Sequence, residues 1–342
     1  MAATGMVSTD TARFALNRAT GDLAEGADKL AGEVGGTAVE AVLANANRKG
    51  TNKGAAAAMG SMNPRPPIWY AFDSGDQNTP DWYPQGLTGS DDSGGIGVPA
   101  LMVSWYFKPT AGERGIRVSF FSPQTLKYQH ALLVLAKPDG SYGPINIHAG
   151  GIACHGDLLY VADTVRGLRV FDLKNILDLR TAQKDLGDAD RIGRHGGKLH
   201  AFGYRYIIPQ TDFWRVAQEG PRFSYVAIDR SGGTPRLITG EYREGDGQGW
   251  VARWPLDMEG GAPEDAYITG QEKIQGAVSY RGKWYLSQAA NATTNGKLRV
   301  YDGDKLTTRP FPIGPEDLTV QDGRLWSVTE FRNKRTIFAV PL

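Results

Sequence analysis

Amides, carboxylates and aromatic rings recur at matched places along this chain. Gln85 and Gln275 each stand immediately before a glycine that opens an apolar run, and Glu316 holds the same place before Asp317 in Ile313-Gly314-Pro315-Glu316-Asp317-Leu318. Equivalent positions of a stacked repeat face one axis. Gln85, Gln275 and Glu316 are therefore predicted to converge, with Tyr83 and His148 at the rim. Amides beside a paired acid can bind a polyhydroxylated ligand; the acids could also hold a cation, or join neighbouring backbones through buried hydrogen bonds. The segment Gly75 to Gly86 is the densest polar and aromatic stretch, with Gln77, Asp81, Trp82 and Tyr83 in it. It reads as a ligand-contacting loop, or as a long turn held by Asx hydrogen bonds and proline.

Asp163, Glu241 and Glu330 end the second apolar run of their copies, as Trp105 and Gln288 do in theirs. They are predicted to gather at the opposite mouth, where mutual repulsion would raise one carboxyl toward general-acid range. These three are the catalytic candidates. The histidines His130, His148, His155, His195 and His200 show no HxH or HExxH spacing, and no metal site of known geometry follows. A Ser-His-Asp triad is left open, although no Gly-x-Ser-x-Gly elbow marks a nucleophile. A P-loop and a dinucleotide fingerprint are both missing, so no cofactor is predicted; a divalent cation in the channel is compatible with the acids. Cys154, the single cysteine, allows no internal disulfide and reads as a packed thiol.

The elements that must position these groups form a repeat. An apolar run, a Gly or Asp turn and a second apolar run with a polar end appear from Gly150 to Asp163, from Gly276 to Gln288 and from Asp317 to Glu330. Looser copies run from Gly86 to Trp105 and from Tyr225 to Glu241. Each leads into a third β-rich run, such as Leu168-Arg169-Val170-Phe171 or Leu298-Arg299-Val300-Tyr301. A three-strand unit cannot bury both faces alone, so the copies are predicted to stack radially. The expected fold is all-β, a five-bladed β-propeller with a short helical N-terminal extension. Ile68 to Phe72 and Thr336 to Val340 are predicted to share one sheet and close the ring. A β-sandwich is the competing fold, but it has no reason to repeat this order of runs.

Ahead of the repeats, residues 1–62 are read as a helical segment and a low-complexity linker, a tag, targeting segment or protein-docking element, with 63–342 as the propeller. Phe14, Leu16, Leu23, Leu30, Val34 and Val39 fall at roughly helical intervals, and Gly35-Gly36 breaks the pair of helices. The net charge of +1, from 38 basic and 37 acidic residues, offers no field for nucleic acid, and no membrane span is expected. No basic segment followed by an apolar run opens the chain, which indicates the cytoplasm for the chain as it stands. Asn291-Ala292-Thr293 is a glycosylation sequon only in a eukaryotic secretory route.

The strings GDQNTPDWYPQG, HAGGI with LLYVADT and GLRVFD, QGAVSYRGKWYLS, and IGPEDL with LWSVTE resemble a family of uncharacterised bacterial secreted β-propeller proteins. The resemblance spans Trp69 to Leu342. It implies a propeller exported from the cell, and it carries no catalytic residues and no established activity. Three functions compete on these grounds: binding of a carbohydrate or other small polar ligand at the channel mouth, glycoside hydrolase, lyase or cyclase-like catalysis by channel carboxylates, and a protein-interaction scaffold.

Overall fold

A computed structural model describes residues 5–258 and 260–342, with the side chains of residues 92 and 93 excepted. Strands dominate, as expected for an all-β chain, and they fall into antiparallel meanders. The first comprises Trp82–Gly89, Leu101–Phe107, Ile116–Phe121 and Lys127–Ala136. The second comprises Ile152–His155, Leu158–Asp163, Gly167–Asp172 and Tyr206–Val216, and the third Tyr225–Asp229, Arg236–Gly240, Trp250–Pro255 and Asp265–Ile268. Next come Ile274–Tyr280, Lys283–Gln288, Asn295–Asp302 and Lys305–Ile313. The last has Pro315–Gln321, Arg324–Thr329 and Thr336–Pro341, completed by the early strand Ile68–Ala71, whose Tyr70 pairs with Ile337.

The first strands of the meanders pack against one another in a cycle, the last against the first. Apolar side chains of each sheet interleave with those of its neighbours, and Trp105, Phe120, Trp254 and Phe338 are wholly buried between them. The first two sheets are also joined at their outer edges. Tyr206–Val216 pairs in parallel with Lys127–Ala136 through Tyr206 to Pro209, then crosses to pair with Gly167–Asp172, with a register shift beside Val170.

Residues 5–62 hold the helices α1 (Leu23–Val34) and α2 (Val39–Ala44), and also short strands that sequence periodicity did not reveal. Val7–Ser8 pairs with the outer strand of the third meander, Leu16–Arg18 with that of the second and Arg48–Lys49 with that of the first. Thr51–Asn52 pairs with Ile68–Ala71 at the edge of the last. Ser61 donates its amide to Asn295 Oδ1 in the remaining one. The segment is thus a strap around the circumference that covers the unpaired edges of the sheets, which otherwise template edge-to-edge association. Its apolar residues are spent on this contact: Phe14, Leu30, Val42, Ala58 and Met59 are buried, and Phe14 stacks on Trp250 at 4.2 Å. Asn52 to Met62, expected as a linker, includes the turn Ala56–Met59, whose Ala58 and Met59 are buried. No helix among the described residues is long and apolar enough to cross a membrane.

Candidate functional site at the channel mouth

Gln85, Gln275 and Glu316 share a backbone feature. Their first strands each carry a register shift there, between Pro84 and Leu87, between Ile274 and Gly276, and between Pro315 and Leu318. A bulge interrupts the alternation of a strand and re-aims a side chain. Here it turns a polar residue toward the axis just before the apolar run begins. The following glycines are set by close approach: a Cβ on Gly86 would lie 2.5 Å from the Ile152 nitrogen and one on Gly276 2.6 Å from the Asp317 Cα. Neighbouring first strands therefore touch backbone to backbone at this end of the ring. Asp317 binds two of them, its Oδ2 accepting the amides of Leu87 at 3.2 Å and Ile152 at 3.0 Å. It is a buried junction between sheets, the backbone-joining alternative for the paired acids.

The two rings anticipated from sequence occupy one mouth. An antiparallel hairpin returns the end of its second strand beside the start of its first, so Pro84 pairs with Trp105 and Pro315 with Thr329. Glu241 and Glu330 therefore lie at the same mouth as Gln85 and Gln275, not at the opposite one expected from sequence. Gln85, Gln275, Glu241, Glu330 and His148 line one cavity of about 830 Å³. Tyr106, Thr164, Arg222, Ser224, Tyr242, Arg243 and Glu244 complete its wall. The latter set was missed, although Tyr106, Thr164 and Tyr242 are next in sequence to Trp105, Asp163 and Glu241, which had been singled out.

At the cavity floor sits a pair of carboxyl groups, Glu330 in the lining and Glu316 buried behind it. Gln275 Nε2 donates to Glu316 Oε1 at 3.1 Å and Gln85 Nε2 to Glu330 Oε2 at 2.9 Å. Burial, followed by the charges of Glu330 and Asp317, raises Glu316 well above the usual carboxylate range. Burial also raises Glu330, against the hydrogen bond from Gln85, the positive charge of Arg335 and the hydrogen bond with Glu316. Glu316 Oε2 finds no donor on another residue. Held protonated by its raised pKa, Glu316 is joined to Glu330 by a side-chain hydrogen bond. Two buried carboxylates cannot both ionise in contact, so the pair holds one proton.

Around this pair the wall is mixed. Burial raises Glu241, against the pull of Arg243 and Arg222, and its carboxyl has no hydrogen-bond partner among the described residues. His148 is open to the cavity yet flanked by protein, and the loss of bulk water around it lowers its pKa to about 4, leaving a neutral ring at pH 7. That ring lies 4.3 Å from Tyr106, which stacks in turn on Tyr83.

Other predicted residues have structural duties. Gln77 grips the Arg335 backbone through its Oε1, at 3.0 Å from the Arg335 nitrogen, and through its Nε2 to the Arg335 carbonyl. Tyr83 packs against the Arg335 guanidinium, 4.9 Å from its ring centre, behind the cavity wall. The Asp81 carbonyl accepts the Lys108 amide at 2.7 Å. Trp82 faces a different pocket and lies under the Arg117 guanidinium at 4.4 Å. Asp163 is a buried partner of Arg169 at 2.8 Å, and Gln288 accepts from Arg299 at 2.8 Å. Asp163 is thus removed from the catalytic candidates, leaving Glu241 and Glu330 at the cavity.

A serine, a histidine and an aspartate do meet in space. Ser119 Oγ lies 2.8 Å from His130 Nδ1, and His130 Nε2 lies 3.0 Å from Asp76 Oδ2. Ser119 is wholly buried and accepts a hydrogen bond from Trp105 Nε1 at 2.8 Å, so no substrate reaches its hydroxyl. Burial and then Arg117 lower His130 to about 4, while Asp76 stays ionised: burial opposes this, but His130, Arg117 and Arg48 outweigh it. With neutral His130 donating from Nε2 to Asp76 and accepting from Ser119, every member is satisfied. Such a network fixes the packing of the first meander rather than performing acyl transfer. Among the described residues, no group of three or more His, Cys, Asp or Glu side chains is placed to hold a metal ion.

No protein-family model and no curated protein matches this chain. Solved structures with partial likeness include hydrazine synthase of Kuenenia stuttgartiensis, at 14% identity over 73% of this chain and 74% of that one, with a TM-score of 0.35. The RS223 beta-xylosidase is 11% identical over 77% of this chain and 96% of its own, with a TM-score of 0.39. A GH43_1 enzyme from Xanthomonas citri is 11% identical over 89% and 93%, with a TM-score of 0.37. At these values the likeness carries no argument about activity, and the reading of the site rests on its own geometry.

Proposed function

We propose that the chain is a five-bladed β-propeller, each meander a blade, whose channel mouth binds a small uncharged polar ligand of the carbohydrate class. The observation that carries this is the cavity of about 830 Å³ in which Gln85, Gln275 and Glu330 sit beside Tyr106 and Tyr242. Planar amides and carboxyls match the paired hydroxyls of a sugar, and tyrosine faces cover its apolar C–H surface. Arg222 and Arg243 face Glu241, Glu244 and Glu330 in the same wall, so neither charge prevails and a neutral ligand suits it. The Glu316–Glu330 pair, which shares a proton, lacks the gap of roughly 5 to 9.5 Å that two carboxyls flanking a glycosidic bond require. It is a floor for hydrogen bonding.

Titration calorimetry with a panel of neutral mono- and oligosaccharides tests this reading. At least one sugar should bind, and Gln275→Ala and Tyr242→Ala should each weaken it by about tenfold, a hydrogen bond or a ring contact. A panel without binders, or variants that bind as wild type does, would remove the proposal. The second reading is hydrolysis, favoured by Glu241, a buried carboxyl with a raised pKa and no partner among the described residues. Aryl glycosides cleaved by wild type but not by Glu241→Gln would select it.

A further inference from the structure

Away from the channel, a second pocket of about 420 Å³ lies where the strap crosses the first and second meanders. Arg48, Arg114, Arg180 and Arg205 line it together with Trp82, Phe202 and Tyr204, and among the described residues no carboxylate belongs to its lining. We propose that this pocket binds a small organic anion, an oxyanion carried on a planar or sugar ring, with the arginines taking the oxyanion and the aromatic side chains the ring. The inference is independent of the sugar-binding reading of the channel mouth.

The four arginines differ in what already holds them. Arg205 is clamped by Asp178, through Nη2 to Oδ2 at 2.6 Å and Nε to Oδ1 at 2.9 Å. Arg48 reaches Asp73 at 3.2 Å and Asp76 at 3.7 Å from beside the buried His130 network. Arg114 pairs at 2.7 Å with Asp190, whose side chain is 83% exposed, and such a surface pair is worth little and is readily exchanged. Arg180 has no carboxylate within ion-pair distance among the described residues. It is held in place by its backbone, whose amide donates to Asp178 Oδ1 at 3.0 Å. Arg114 also donates to the Ala189 carbonyl at 2.9 Å, so among the described residues the Arg180 guanidinium is the free one, and Arg114 can turn to an oxyanion by exchanging its exposed Asp190 partner, in the two-pronged geometry that arginine favours.

The same wall supplies a ring site and polar edges. Arg114 stacks over Phe202 at 4.9 Å, and Arg117 over Trp82 at 4.4 Å. Each ring has one face covered by a guanidinium, which holds it in place and leaves its remaining surface for a ligand ring. Gln129 is almost wholly buried and lines the pocket; its Oε1 is used by the Asn47 amide at 3.1 Å, so its amide nitrogen is the end left to address a ligand. The volume suits a single ring with one charged substituent. The site exists only because the strap brings Asn45, Asn47 and Arg48 against the sheets, whose outer edges alone would leave that side open.

The test uses full-length protein in calorimetry at low ionic strength with phenyl phosphate, benzoate, inorganic phosphate and benzyl alcohol as probes. Phenyl phosphate or benzoate should bind, roughly tenfold or more tighter than inorganic phosphate or benzyl alcohol, because ring and oxyanion act together, and should weaken steeply as salt is raised. The tighter of the two anions fixes the oxyanion as phosphate or carboxylate. Arg180→Gln, and separately Arg114→Gln, should weaken binding by about fivefold or more with an unchanged melting temperature, since neither arginine holds a buried ion pair. His148→Ala, at the channel mouth, should leave it unchanged. Failure of both ring-bearing anions to bind would overturn the proposal, as would equal binding of the neutral alcohol or arginine variants that bind like wild type.

Discussion

Glu316 is the residue on which the mouth turns, because its buried acid must keep a proton that the unfolded chain would release. Its folded pKa is raised above the unfolded value, so the folded state binds more protons between the two, and stability is full below the unfolded pKa and falls as pH climbs toward the folded one. Glu316→Gln can keep the hydrogen bond from Gln275 and offers an amide N–H to Glu330 in place of the acid proton. The variant should match wild type near pH 4 and exceed it progressively above that, by up to about 1.4 kcal/mol per pH unit while Glu316 would be releasing its proton. Urea unfolding across pH 4 to 9 reads the difference; a gap that shrinks with rising pH would show that Glu316 is ionised in the native protein. Asp317 behaves otherwise, as a joint. Asp317→Ala strands the Leu87 and Ile152 amides and should cost roughly 2 to 4 kcal/mol in the same assay, at about one to two per amide, without any ligand present. A loss under 1 kcal/mol would mean that water or a backbone shift replaces the carboxylate.

At the scale of elements, the strap and the hairpins were legible to different degrees. Gly276 to Gln288 showed its hairpin because both strands are buried and alternate around a glycine turn, and the pairing of Ile274–Tyr280 with Lys283–Gln288 is the one expected. Converging amides at Gln85 and Gln275 could be inferred from their equivalent place before a glycine in the repeat; the bulge that aims them is seen only in the structure. The order of apolar runs alone does not express the return of the chain within a hairpin, and so places Glu241 and Glu330 at the wrong end. The strap's sequence predicts helices and a linker because two-residue strands such as Val7–Ser8 and Arg48–Lys49 carry no periodicity; only the partner edge defines them. Its contribution is measurable. Phe14→Ala removes a ring stacked on Trp250 and should cost roughly 3 to 5 kcal/mol by denaturant unfolding. Deleting residues 5–62 should go further and yield self-associating protein through the uncovered edges, by light scattering. A monomer with wild-type stability would show the strap to be dispensable.

For the whole molecule, the decisive arrangement is the ring. Ile68–Ala71 joins Thr336–Pro341, so an early and a late segment of the chain share one sheet, and Asp317 links that sheet to the next two in the cycle. The mouth is therefore assembled from sequence-distant segments, Gln85, His148, Glu241, Gln275 and Glu330 around one cavity, and it forms only when the ring closes. Closure was legible from apolar runs left over at the two ends of the repeat; the identity of a ligand was not, since it depends on the distances among side chains that no repeat encodes. The most direct measurement is a crystal structure of the protein soaked in the sugar that binds most tightly in solution. The account predicts ring density in the channel mouth within hydrogen-bond reach of Gln275 or Glu330 and against Tyr106 or Tyr242. Density confined to the outer edges of the sheets, with the mouth holding only water, would contradict it.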